Sequence, residues 1–230
     1  MNLFYVDQVE MKIGKIIQIR GDDAHHIDRV LRLNAGETVL LSNGKGEWAV
    51  GSIRNLNKNQ VEVELIENGY EERKVNSIAV AQAIPKSDRA KEAIELLTAS
   101  GVDEIIPWQA ARSIGKESEK WPITVRETGK QSRRFWLPIV HEKKNLNQLA
   151  ELAKEFDQVL VCHESATEQI SKSVTPKPRT LIVIGPEGGL TEEEIFALNG
   201  KVVRLGNSIL RSAHAGIAAI SAVSAAMKVW

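Results

Sequence analysis

The sequence predicts an α/β protein whose C-terminal part is built on a parallel sheet, preceded by a smaller β domain. Three observations carry this reading. From Asn76 onward, apolar runs and helix-spaced segments follow one another as strand, helix, strand, the order that builds a parallel sheet. Met1–Glu67 instead holds short alternating runs separated by turn residues. Near the C-terminus two glycine loops, Gly185–Gly189 and Gly206–Ser208, follow neighbouring strands, and open α/β sheets bind ligands at such strand ends. The expected division is 1–70 for the β domain and 71–230 for the α/β domain.

In the first domain Lys15–Ile19, Thr38–Leu41, Glu47–Ile53 and Gln60–Leu65 read as strands of a small barrel or sandwich. Turns are expected at Asn34–Gly36, Asn43–Gly46 and Asn55–Asn59. Between the first two strands lies His25–Leu33, with Val30, Leu31 and Leu33 expected inward and His25, Arg29 and Arg32 outward. Its paired histidines fit capping or core positions as readily as a ligand-facing role. Asn68–Lys74 is polar and reads as a linker.

The second domain opens with the strand Asn76–Ala83 and the helix Ala90–Ser100, whose Ala93, Ile94, Leu96 and Leu97 share a face. Gly101 ends that helix, and Val102–Pro107 is the next strand. Trp121–Arg134 reads as a helix with Arg126, Lys130, Arg133 and Arg134 crowding one side, either a solvated surface or a phosphate-facing one. Leu146–Glu155 is helical, Gln158–His163 an apolar strand, and Glu164–Thr175 a helix or loop. Leu181–Ile184 is a buried strand, and Thr191 with Glu194 fits a capping box that starts a helix. Gly200 is expected to stop it, with Lys201–Leu205 the following strand and Ala213–Met227 a small-residue helix.

Thirty basic and thirty acidic residues cancel over the 230-residue chain, so net charge points to no partner. The distribution is uneven. Arg112–Lys144 has nine Lys/Arg against four Asp/Glu, and Arg73–Lys91 has five against one. Such segments suit a phosphate-binding face, or solvated helix surfaces. Cys162 stands alone, which excludes a disulfide framework and a Cys-rich metal site. No His/Cys/Asp spacing suggests a metal, and the glycine loop lacks the Lys-Ser/Thr of a P-loop. The start of the chain lacks a basic-then-apolar leader and the apolar run Ala213–Met227 is too short to span a bilayer, so a cytoplasmic, non-membrane protein is expected.

A resemblance sharpens this. The stretch LIVIGPEGGLTEEEIFALNGKVVRLGNSILRSAHA, Leu181–Ala215, resembles the C-terminal signature of the SPOUT methyltransferases. More narrowly it is similar to the family that methylates N3 of a uridine in 16S ribosomal RNA. HHIDRVLRLNAGE from His25 resembles the PUA-like domain of that family, and QAIPKSDRAKEAIELLTASGVDEIIPWQAARS from Gln82 its segment around a Lys-x-Asp-Arg element. Glu127, Gln131, Ser132 and Arg134 match a Glu-x-x-x-Gln-Ser-x-Arg element. Two departures stand out. Ala99-Ser100-Gly101 replaces a common Glu-Leu-Gly, and Leu210-Arg211-Ser212-Ala213-His214-Ala215 replaces Leu-Arg-Thr-Glu-Thr-Ala.

The resemblance implies a PUA-like β-barrel domain followed by a SPOUT domain with a deep trefoil knot around a parallel sheet. It implies a homodimer that uses S-adenosylmethionine, with 16S rRNA, in the small ribosomal subunit, as substrate. The cofactor set expected is Leu160, His163, Ile184, Gly185, Glu187, Gly188, Gly189, Leu205, Gly206, Ile209 and Leu210. Leu160, Ile184, Leu205, Ile209 and Leu210 would be its apolar walls. Arg211 is the expected catalytic cation, with a salt bridge as its plain structural role, and His214 an expected proton acceptor. RNA contacts are expected from His26, Arg29, Arg32, Lys86, Arg89, Arg112, Arg126, Arg133 and Arg134. Trp108, Trp121 and Trp136 are each core or stacking residues. Three rivals remain: a non-catalytic RNA or ribosome binder of the same fold, a SPOUT enzyme for another RNA, and a small-molecule nucleotide-binding enzyme.

Overall fold

Residues that alternate in polarity pair into sheets, and here two sheets form, one in each part of the chain. The computed structural model describes all residues except Gln8, Val9, Lys58, Lys116, Glu117 and Trp230, and omits the side chains of Ser87 and Asp88. Lys58 in the turn expected at Asn55–Asn59, and the Asp88 side chain of the Lys-x-Asp-Arg element, thus lie outside the described residues. The chain divides into two compact units, Met1–Arg73 with Gly129–Leu137, and Lys74–Thr128 with Pro138–Trp230.

The first unit holds β1 (Leu3–Tyr5), β2 (Ile16–Arg20), α1 (Gly21–His25), which continues as a π-helix His26–Leu31, β3 (Thr38–Ser42), β4 (Glu47–Asn57) and β5 (Gln60–Tyr70). These strands make one sheet in the order β1-β3-β4-β5-β2. Its inward residues, among them Ile17, Ile19, Val39, Leu41, Ile53 and Val63, bury a core that Ala24 and Ile27 complete from the helix. β1, which no sequence pattern marks, pairs parallel to β3. Val30, expected inward, is 61% exposed. The π turn is wider than an α turn and changes which residue faces inward, so Ile27 takes the core position. Leu31 and Leu33 pack against that core as expected.

The polar Asn68–Lys74 is not wholly a linker, because Glu67–Tyr70 pairs with Glu47–Val50 and extends β5. Gly69 serves packing: a Cβ there would lie 2.4 Å from Trp48 Cζ2. The helix expected over Trp121–Arg134 stops at Gln131, and Arg133 turns into the left-handed region (φ 51°). The chain after it docks on the first unit. Gly46 N–H donates to Phe135 O and Leu137 N–H to Gly44 O, both at 2.9 Å. Phe135 stacks on Trp48 (5.7 Å, 18°), and Lys130 Nζ pairs with Asp23 Oδ1 at 2.6 Å.

The second unit runs β6 (Ser77–Ala83), α2 (Ser87–Ala99), β7 (Glu104–Trp108), α3 (Trp121–Gln131, its last turn in the first unit), β8 (Ile139–Val140), α4 (Leu146–Ala153), β9 (Gln158–Cys162), α5 (Ile170–Ser173), β10 (Arg179–Ile184), α6 (Glu192–Leu198), β11 (Lys201–Val203) and α7 (Ser212–Met227). Its sheet has the order β11-β9-β10-β6-β7-β8, and every pairing is parallel. Strands buried on both faces read as continuous apolar runs, as Leu181–Ile184 does. The Thr191–Glu194 capping box forms as read. Gly200 is not the left-handed stop, since Asn199 takes that conformation (φ 47°). Gly200 is needed because a Cβ would meet Val159 Cγ1 at 2.7 Å.

The small residues of α7 let it approach closely. A Cβ on Gly216 would lie 2.6 Å from Leu97 Cδ2 of α2, and Ala213, Ala219 and Ile220 are buried beside it. Across the sheet, Glu104 Oε2 accepts from His141 Nε2 at 2.8 Å while Oε1 pairs with Arg179 Nη2 at 3.3 Å. The His141 hydrogen bond, opposed by partial burial and reinforced by Arg179, holds the Glu104 carboxyl below the usual carboxylate range. A depressed folded value means that stability is present above the unfolded value of about 4.5 and lost as pH falls through the folded one. Glu104→Gln should therefore cost about 1–3 kcal/mol at pH 7. In urea titrations the deficit should shrink at pH 3.

Candidate functional site

Three neighbouring strands of the second unit stop at the same level. Cys162 at the end of β9 stands opposite both Ile184, the last residue of β10, and Val203, the last of β11. The loops leaving these ends enclose a cavity of about 290 Å³, at the small end of ligand sites. Cys162 and His163 line it after β9, the Gly185–Leu190 loop after β10, and residues 204–211 after β11.

The Gly185–Leu190 loop is held from several sides. A Cβ on Gly185 would sit 2.9 Å from Leu190 Cγ, and Gly189 has φ +73°, so both positions call for glycine. Gly189 N–H donates to Pro186 O at 2.9 Å. Trp108 Nε1 donates to Ile184 O at 3.2 Å, and Arg112 Nη1 to Gly188 O at 2.8 Å. The buried Glu194 carboxylate accepts from Thr191 N–H (2.8 Å) and from Ala111 N–H (2.7 Å), fixing the start of α6 to the loop after β7. Ser212 Oγ donates to Gly185 O at 2.7 Å, joining the first residue of α7 to the glycine loop.

Of the expected cofactor residues, His163, Ile184, Gly185, Glu187, Gly189, Leu205, Gly206, Ile209 and Leu210 face the cavity. Leu160 does not, because it lies within β9, fully buried, while the cavity opens beyond the strand ends. Gly188 is also off the lining, packed instead against the Arg112 side chain. Residues outside the expected cofactor set join the lining, notably Cys162, Arg204, Asn207, Ser208 and Ser212. Each borders a residue that the sequence did mark, and only the level strand ends show that they share one cavity.

Arg211 lines the cavity and is exposed. His214, one helical turn on, is not on the lining; its Nε2 pairs with Glu92 Oε1 of α2 at 3.0 Å. The hydrogen bond from His214, with the nearby charges of His214, Arg211 and Arg89, holds the Glu92 carboxyl below its ordinary range. Arg89 Nη1 lies 3.8 Å from Glu187 Oε1. Charged groups of both signs thus surround Arg211, while Ile209 (79% exposed) and Leu210 (40%) present apolar surface beside it.

The residues expected to meet RNA fall in both units. In the first, Arg29 and Arg32 are exposed, Arg29 pairing with Asp28 Oδ2 at 3.0 Å, while His26 is half-buried with its ring edge-on to Phe4. Arg133 is exposed, and Arg134 is half-buried with its carbonyl accepting from Tyr5 Oη at 2.7 Å. In the second, Lys86 and Arg112 are exposed and Arg89 and Arg126 half-buried. Trp108 and Trp121 are core residues. Trp136 is half-buried, with the Arg73 guanidinium 5.0 Å from its ring centre.

Comparison with known proteins agrees with this geometry. Residues 71–224 match the RNA methyltransferase domain family, and residues 19–66 the RNA methyltransferase PUA domain. The chain belongs to the RNA methyltransferase family. Ribosomal RNA small subunit methyltransferase E of Mycobacterium bovis is 33% identical, with 99% of this chain and 93% of that protein covered. The Bacillus subtilis protein of the same name is 31% identical over 97% and 96%. The crystal structure of the Neisseria gonorrhoeae protein of that name, bound to S-adenosyl methionine, has a TM-score of 0.88. It covers 100% of this chain and 98% of its own and, at 24% identity, it shows the shared fold.

Burial pushes the Cys162 thiol up to about 12, so at neutral pH it stays protonated at the foot of the cavity. Thiolates are the reactive form. Alkylation by iodoacetamide at pH 8 should run at least about tenfold slower than for the same cysteine in urea-unfolded protein, against an ordinary thiol value of about 8.5. Mass spectrometry of quenched samples reads this directly.

Proposed function

We propose that this chain transfers the methyl group of S-adenosylmethionine to N3 of a uridine in 16S ribosomal RNA. The reading includes a homodimer acting in the cytoplasm on the small subunit, and the trefoil knot of the resemblance. The observation that carries it is the cavity at the level ends of β9, β10 and β11, with glycine backbone on one side and Arg211 at its rim. Ile184, Leu190, Leu205 and Ile209 supply apolar walls, and the bare backbone of Gly185 and Gly189 supplies polar groups without bulk. That lining fits a nucleoside with an attached amino-acid tail. The names of the Mycobacterium and Bacillus relatives support ribosomal RNA of the small subunit as the substrate.

Bound there, S-adenosylmethionine supplies an electrophilic methyl on a sulfonium. The chain's part is to hold the uracil and manage one proton. Uracil N3 is a weak acid, and as its proton leaves, negative charge grows on O2 and O4. Arg211, exposed at the rim, is placed to stabilise that charge. His214 takes the role of base, with Glu92 holding Nε2–H and so leaving Nδ1 as the acceptor. The exposed Arg29, Arg32, Lys86, Arg112 and Arg133, with His26, Arg89, Arg126 and Arg134, bear on phosphates and unpaired bases.

The test is incubation with labelled S-adenosylmethionine and, separately, unmodified small subunits, naked 16S rRNA and tRNA, followed by nucleoside analysis. N3-methyluridine confined to the small-subunit samples is the expected result. Cofactor binding without transfer to any of them would favour a non-catalytic RNA binder. Within this assay Arg211→Ala should lower kcat/KM about 10²-fold, and cofactor affinity should change only a few-fold. His214→Ala should lower kcat; a parent-like rate would remove His214 from the mechanism.

A further inference from the structure

Gln82, in β6, is fully buried, and its amide meets the first turn of α7 rather than another strand. Its Nε2 donates to Ser212 Oγ at 3.0 Å and to the Ala83 carbonyl at 3.1 Å. Ser212 Oγ in turn donates to Gly185 O at 2.7 Å. The amide orientation is dictated by its neighbours. Ser212 has one proton, committed to Gly185, and the Ala83 carbonyl has none, so both must receive from Nε2. Gln82 Oε1 then points away from both and has no hydrogen-bond partner among the described residues. A Cβ on Gly216 would lie 3.4 Å from it, so this oxygen faces the bare backbone of α7 at Gly216.

A buried amide oxygen without a partner costs stability, which offsets part of what the two Nε2 hydrogen bonds contribute. The amide's net worth to folding is therefore small, and its hydrogen bond to Ser212 bears on the cavity instead. We infer that Gln82 is a positioning residue for the cavity: through Ser212 it sets the spacing between the Gly185–Gly189 loop and the Arg211 end of α7. This rests on the reading of the cavity as the S-adenosylmethionine site. Gly185 and Ser212 both line that cavity from opposite loops, and the Gln82–Ser212–Gly185 chain is the direct polar link between them. By donating to Ser212 Oγ, Gln82 occupies one side of the hydroxyl and favours its proton staying on the Gly185 carbonyl.

On this inference binding falls while the fold is kept. Gln82→Met keeps the volume and removes both the unpaired oxygen and the two Nε2 hydrogen bonds, so thermal unfolding of the ligand-free protein should shift by only a few degrees. Calorimetric affinity for S-adenosylmethionine and S-adenosylhomocysteine should fall about tenfold, equivalent to about 1.4 kcal/mol. Ser212→Ala should show the same loss, and Ser212→Thr, which keeps the hydroxyl, should restore affinity to within a few-fold. The double variant Gln82→Met/Ser212→Ala should lose no more than the weaker-binding single one, since both act on one contact. Parent-like affinity in a folded Gln82→Met protein would overturn the inference alone. A parent protein that binds neither ligand would overturn the cofactor reading, and the inference with it.

Discussion

The close approach of α7 to the sheet and to α2 is the constraint on which the second unit depends. A helix of Ala, Ser and Gly buries little apolar area per residue, so its stability comes from proximity rather than side-chain bulk. Gly216 marks the tightest point, where Leu97 occupies the space a Cβ would need. Only at that distance can Ser212 reach Gly185, and only then do the loops after β10 and β11 face each other across one cavity. A bulkier α7 would stand off from β6 and part the two loops.

The polar groups around the cavity divide into two kinds. Glu194, Gln82 and Ser212 are buried, and each bonds to backbone, so they set loop geometry. Glu92, Arg89, Glu187 and Arg211 are at least partly exposed, and the Arg89–Glu187 and His214–Glu92 pairs are long or open to solvent. Such pairs contribute little to stability. Their charges remain available to a ligand. Arg112 crosses this division, since it is exposed yet its guanidinium fixes Gly188. A residue marked in the sequence for its charge therefore also has a structural task.

Local patterns were legible wherever the cause of the structure was local. The Thr191–Glu194 capping box, the apolar run of β10 and the helix over Ala93–Leu97 rest on contacts within a few residues, and all are present. Readings failed where a distant residue decided. Gly69, in the expected linker, and Gly200, the expected stop, make room for Trp48 and Val159. Val30 is apolar and expected inward, but it lies in a π turn and faces outward. Leu160 suits a cavity wall by being apolar and near the motif, but its place in mid-strand puts it beneath the cavity.

By itself, the sequence determined the α/β class, the order of elements and the two glycine loops, because hydrophobic period and turn chemistry act along the chain. It also marked Arg211 and most of the cavity's backbone. Only the tertiary structure decided that β9, β10 and β11 end level, that His214 turns to Glu92, and that Gly129–Leu137 packs with the first unit. It alone showed a buried glutamine behind Ser212. These are contacts between residues tens to more than a hundred positions apart. Strand register and helix approach set them, and no local pattern encodes either.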